Sequence, residues 1–170
     1  MKTFNCKTLA AVVGTTLLLG GSISAYAVDY AGSYKGTITK QDGQPIVDNG
    51  QHLLVLGTST GINKSTGKKD YFDGGAITVT DSIDMVNGNG THHGYWTVSK
   101  DGEQVTLSLN GKVTTVLAPD GKTPMTTIEG TTNGLYGTGV YGTIHPVGEY
   151  KVTFTSPTEY LCEWKVTGFK

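Results

Sequence analysis

The chain has 170 residues, of which 36% are hydrophobic and 16% charged, with 25 glycines. That length suggests one domain, and the balance is too apolar for disorder and too polar for a membrane bundle. All 13 basic residues are lysines and the formal net charge is −1, which argues against nucleic acid as a partner and against forked recognition of phosphates, since both lean on arginine.

The first segment reads as an export signal. Lys2 and Lys7 precede an apolar run from Leu9 to Leu19, and Ala25-Tyr26-Ala27 follows as a small-x-small cleavage site. This is the three-part layout of a secretory signal peptide, and the apolar run is far short of the roughly 20 residues that a spanning helix needs. The expectation is a signal peptide over 1–27 and one domain over 28–170. The mature protein is then periplasmic or secreted, with no membrane insertion after signal removal. Loss of Lys2 and Lys7 leaves 11 lysines against 14 acids, a net charge of −3. Cys6 departs with the signal and only Cys162 remains. That excludes an intramolecular disulfide and a cysteine-built metal site, and marks Cys162 as a buried, small hydrophobe.

The rest of the chain alternates with period two between regular turn signals. Expected strands are 31–39, 50–58, 76–86, 91–99, 104–117, 123–131, 135–144 and 147–155, with 158–168 a candidate ninth. The punctuation includes Gln41-Asp42-Gly43, Asn87-Gly88-Asn89-Gly90, Lys100-Asp101-Gly102, Pro119-Asp120-Gly121 and Ser156-Pro157. Asn-Gly and Asp-Gly supply the positive φ angles of tight hairpins. In 147–155, Tyr150, Val152 and Phe154 oppose Lys151, Thr153 and Thr155. In 158–168, Tyr160, Cys162, Trp164 and Val166 oppose Glu159, Glu163 and Lys165. One apolar and one wet face per strand is the antiparallel pattern. The expected fold is therefore all-β: a single eight-stranded antiparallel up-and-down barrel, nine strands if 158–168 is an extra one, with a short hydrophobic interior. Closure hides the strand edges. A two-sheet sandwich is the alternative.

Asp81 is the most informative residue for chemistry. It sits between Val79 and Ile83 on an otherwise apolar face. A carboxylate there is costly unless it is paired, hydrogen-bonded or protonated, and such groups do general acid–base work. The alternative is a bulge that turns it outward. His92 and His145 are candidate proton carriers, because histidine titrates near working pH. His92 and His93 are adjacent, so they point to opposite faces of a strand, and no metal site is expected. Tyr34, Trp96, Tyr150, Tyr160 and Trp164 fall on inward faces and would give a cavity an apolar wall with hydrogen-bonding tips; the alternative is plain core packing. Glu129 is a second carboxylate candidate for a substrate site. No Gly-x-Ser-x-Gly elbow, phosphate loop or dinucleotide fingerprint occurs, and no cofactor is expected.

The stretch from Thr80 to Trp164 carries a resemblance over roughly half of the chain. Its residues are Val86-Asn87-Gly88-Asn89-Gly90 with His92 and Gly94-Tyr95, Gly111-Lys112-Val113-Thr114-Thr115, and Leu117-Ala118-Pro119-Asp120-Gly121. Ile128-Glu129-Gly130-Thr131, Gly137-Thr138-Gly139-x-Tyr141, and Ser156-Pro157-Thr158-Glu159-Tyr160 with Trp164 continue it. This resembles small exported bacterial proteins with the allene-oxide-cyclase-like barrel, relatives by fold of plant dirigent proteins. The resemblance implies a barrel that cyclises or isomerises small hydrophobic molecules, a terpenoid or fatty-acid-derived epoxide among them, and that associates as a homo-oligomer in some members. The functional expectation is a cofactor-independent isomerase, lyase or cyclase acting on such a molecule. Its rivals are a non-catalytic carrier of the same ligand and a filled scaffold that binds a protein. Cavity volume and the state of the inward carboxylate separate the three.

Overall fold

The computed structural model describes residues 30–48, 50–66 and 72–168. The expected leader, 1–27, lies outside the described residues. The strands are β1 (Tyr30–Pro45), β2 (His52–Ile62), β3 (Lys64–Ser65), β4 (Ala76–Val86), β5 (Asn89–Lys100), β6 (Glu103–Leu117), β7 (Pro124–Gly137), β8 (Val147–Phe154) and β9 (Glu159–Thr167). Eight of them pair antiparallel in the order β2-β4-β5-β6-β7-β8-β9-β1, and the β1–β2 pairing closes the barrel. Closure leaves no free edge along these strands, which a sandwich would have retained. The two-residue β3 pairs with β1 through Gly32↔Ser65 and Ser33↔Lys64.

Two hairpins turn where the sequence expects. Asn87 and Gly88 have φ of 52° and 77°, and Asp101 and Gly102 have 53° and 83°, the paired positive angles of a type I′ turn. Elsewhere the strands depart from expectation. β1 runs through the expected turn at Gln41-Asp42-Gly43, with a bulge between Ile38 and Lys40 where it meets β2. The segment 158–168 is a full barrel strand, and the expected strand 135–144 does not form. Instead β7 continues to Gly137, taking Leu135 as an extra residue between the pairs Leu107↔Gly134 and Thr106↔Tyr136. The chain then leaves the sheet in a short 3₁₀ turn, Gly139–Tyr141, with Gly139 at φ 52°.

That turn closes one end of the barrel. Phe72, from the connection after β3, stacks on Tyr141 at 5.4 Å and 7°. Ile144 and Pro146 are buried nearby in sequence, and Trp164 meets the Phe72 ring edge-on at 5.8 Å. The other end carries the β1–β2, β4–β5, β6–β7 and β8–β9 connections, and no described residue of 46–51, 87–88, 118–123 or 155–158 is buried. The barrel is thus a cup with one plugged and one open end.

Between the ends, large aromatic side chains lie sideways across inward-facing glycines of neighbouring strands. Trp164 crosses Gly32, where a Cβ would stand 2.5 Å from the indole. Tyr160 crosses Gly36, and Tyr150 crosses Gly130 and then Gly111, where a Cβ would stand 2.8 Å and 2.5 Å from its hydroxyl. Any side chain at these glycines displaces the ring it supports. Gly36→Ala is expected to destabilise the protein by about 1–3 kcal/mol, the usual cost of overpacking. Gly43→Ala, whose Cβ meets only Leu53 at 3.6 Å, is expected to stay within about 0.5 kcal/mol. Urea unfolding of the two variants checks the difference.

Candidate functional site

Asp81 faces inward. β4 pairs with β2 and β5 without a register shift, so no bulge turns the carboxylate out. Its neighbours in the row are Gly57 of β2 and Gly94 of β5. A Cβ on Gly57 would stand 2.7 Å from Asp81 Oδ1, and one on Gly94 2.7 Å from Asp81 Cβ. The two glycines make the berth in which the carboxylate sits.

From there a hydrogen-bonded chain crosses four strands. His92 Nε2 is 3.0 Å from Asp81 Oδ2. His92 Nδ1 is 2.7 Å from the hydroxyl of Tyr150, which arrives over Gly130 and Gly111. With Asp81 ionised, His92 Nε2–H donates to the carboxylate and Nδ1 accepts from the Tyr150 O–H. Burial, then the neighbouring Cys162 and Asp81, push the Tyr150 phenol well above its usual range, so it keeps the proton that this arrangement needs. The His92 side chain is 3% exposed and that of Asp81 23%. Both His92 nitrogens are occupied. Asp81 Oδ1 carries no hydrogen bond among the described residues.

A second polar group lies beside the first. The Tyr160 hydroxyl is 2.6 Å from Ser59 Oγ. Tyr34 stacks on Trp96 at 6.1 Å and meets Tyr160 edge-on at 5.9 Å. Burial raises the Tyr34 phenol, with Cys162 and Tyr160 adding to it. The Cys162 thiol is pushed up to about 12, chiefly by burial, against a lowering hydrogen bond from Tyr34. Tyr34, Tyr160 and Cys162, with Asp81, His92, Trp96 and Tyr150, line an interior cavity of about 30 Å³. At roughly 15 Å³ for each probe-sized water position, that is space for about two waters.

The structure therefore brings Asp81, His92, Tyr34, Trp96, Tyr150 and Tyr160 together. Three expected residues lie elsewhere. Trp164 is inward but belongs to the packing below Trp96, at 5.4 Å from it, and its Nε1 donates to Asn63 Oδ1 at 2.9 Å. Glu129 points outward and pairs with Lys151 at 2.7 Å in solvent, because Ile128, Gly130 and Thr132 hold the inward positions of β7. His145 is exposed at the plugged end. With no strand over 135–144, its neighbours Ile144 and Pro146 take the buried places. Sequence reading missed Ser59 and Asn63 as partners of buried aromatic tips; their signal was a polar residue on a strand's inward side or at its end. Among the described residues, no three His, Cys, Asp or Glu side chains converge to hold a metal ion.

A separate cluster marks the rim of the open end. His52 Nδ1 is 2.5 Å from Asp48 Oδ2, and its Nε2 is 2.7 Å from Asp84 Oδ1. Bonds to the two carboxylates raise the His52 pKa from 6.5, and the His52 bond lowers that of Asp48.

Comparison with family models, curated proteins and solved structures finds no match to this chain.

Two outcomes follow from these environments. Cys162 is expected to resist thiol reagents at pH 8 in the folded protein and to react on denaturation, read by mass spectrometry on a chain starting at Val28, which holds no other cysteine. His52 is expected to titrate above 6.5 by NMR. Its stabilising contribution is full below the unfolded value and is lost as pH rises through the folded one. His52→Gln should remove that pH dependence from the thermal midpoint.

Proposed function

We propose that the barrel is a cofactor-independent acid–base catalyst, an isomerase, lyase or cyclase, for a small hydrophobic molecule admitted at the open end. The supporting observation is Asp81: an inward carboxylate with one oxygen hydrogen-bonded to His92, the other unbonded among the described residues, within reach of solvent in a cup lined mainly by aromatic and aliphatic side chains. In this reading Asp81 Oδ1 takes a proton from one atom of the bound molecule and returns it to another. The net change is an isomerisation that needs no redox partner. His92 is a positioning residue, since both its ring nitrogens are committed. Tyr150 fixes its tautomer, and the surrounding aromatics hold one conformer and keep bulk water away. The export signal read in 1–27 supports a periplasmic or secreted setting for this activity.

The cavity volume limits how such a molecule sits. Behind the rim there is room for about two waters, so the body of a larger molecule rests at the mouth. Ile38, Ile83 and Phe154 are apolar and only partly buried there. The same small volume favours a second reading, a packed barrel whose polar network serves folding alone.

The test is incubation with a panel of small terpenoid and fatty-acid-derived epoxides, enones and aldehydes, followed by gas chromatography with mass detection. Asp81→Asn is expected to slow product formation roughly a hundred- to ten-thousandfold, the usual range for losing a general acid or base. Retention of unchanged ligand through gel filtration would make the protein a carrier. Neither turnover nor retention would leave the packed scaffold.

A further inference from the structure

One imidazole stands between two carboxylates at the rim of the open end. Asp48 belongs to the connection between β1 and β2, His52 opens β2, and Asp84 lies near the end of β4. His52 Nδ1 is 2.5 Å from Asp48 Oδ2, and Nε2 is 2.7 Å from Asp84 Oδ1. An ionised carboxylate only accepts hydrogen bonds, and a neutral imidazole has a single N–H to give. Both contacts are therefore bonds only when both ring nitrogens carry protons. With one proton removed, in either tautomer, a bare nitrogen faces a carboxylate oxygen and the bridge from Asp48 to Asp84 is broken.

Asp48 is the hub of its connection. Its Oδ1 accepts from Gly50 N–H, and its own N–H donates to Ile46 O, while Oδ2 meets His52. The connection's ends are tied by Ile46 N–H to His52 O and by Asn87 N–H to Gln51 O. No described residue of 46–51 is buried, and Val47 is fully exposed, so no core side chain anchors it. Other charges stand back from the imidazole. Asp42 of β1 accepts from Gln44 Nε2 at 3.0 Å. Lys112 of β6 lies two strands beyond β4, in the row Asp84, Thr91, Lys112.

We infer that His52 is a proton-operated clip, which ties the β1–β2 connection to β4 while doubly protonated and lets go when neutral. Its two carboxylate bonds raise the His52 pKa from 6.5. The clip is thus complete at pH 6.5 and opens as pH rises through the raised value. One sector of the rim is fixed on the acid side of that value and free on the other, whether or not Asp81 is a catalyst.

Amide hydrogen exchange followed by NMR tests this, with rates corrected for their intrinsic dependence on pH. Protection of the Asp48 and Gly50 amides is expected to fall roughly two- to fivefold, the scale of an exposed ion pair, with the midpoint of the His52 ring titration. Asp84→Asn is the decisive variant. Its amide accepts from the doubly protonated ring and, turned over, donates to the bare nitrogen of the neutral one, so protection should persist through the midpoint. Asp84→Leu offers neither and should show the low protection at every pH. The Trp164 N–H, bonded to Asn63 in the interior, reports that each variant stays folded. Level protection through the His52 midpoint in the unaltered protein overturns the clip. So does an Asp84→Asn variant that still loses protection there, or an Asp84→Leu variant that behaves as the unaltered protein.

Discussion

The structure depends on inward-facing glycines that let aromatic rings lie flat across neighbouring strands. An eight-stranded barrel has an interior of nearly fixed width, just enough for side chains to fill. Rings standing upright would collide at its centre. Laid sideways over Gly32, Gly36, Gly111 and Gly130, Trp164, Tyr160 and Tyr150 tile the wall. Each takes the space that its neighbour's missing side chain leaves.

The tiling also sets where polarity goes. A ring lying across a strand delivers its tip to a residue two or three strands away. That is how Trp164 reaches Asn63, Tyr160 reaches Ser59, and Tyr150 reaches His92. The last contact extends to Asp81, which has its own berth between Gly57 and Gly94. A buried carboxylate is tolerated when a hydrogen-bonded partner accompanies it. His92 supplies that on one oxygen, and the other carries no hydrogen bond among the described residues.

Much of this was legible in the sequence, and the limits have physical causes. Alternation along 147–155 and 158–168 places Tyr150, Tyr160, Cys162 and Trp164 inside, and Asn87-Gly88 and Asp101-Gly102 mark their hairpins. Asp81 and His92 are visible because period two exposes any polar residue on an apolar face. What alternation cannot report is a side chain's sideways reach, so the union of Tyr150 with His92 came only from strand pairing. The segment 135–144 failed for a related reason. Tyr141 and Ile144 are apolar because they plug the barrel, not because they line a strand, and local pattern does not distinguish the two. That error carried His145 with it. Glu129 was misjudged because its glycine-rich surroundings blur which face is which.

The two ends of the cup have unequal freedom to change. At the plugged end, the connections holding Phe72 and Tyr141 are part of the core, so an insertion there must preserve a ring stack formed from segments far apart in sequence. At the open end, the connections 46–51 and 118–123 bury no described residue. Lengthening a surface loop costs little closure entropy, and exposed loop tips are where insertions are tolerated. The loops around the mouth can therefore change in length and sequence while the interior packing stays the same.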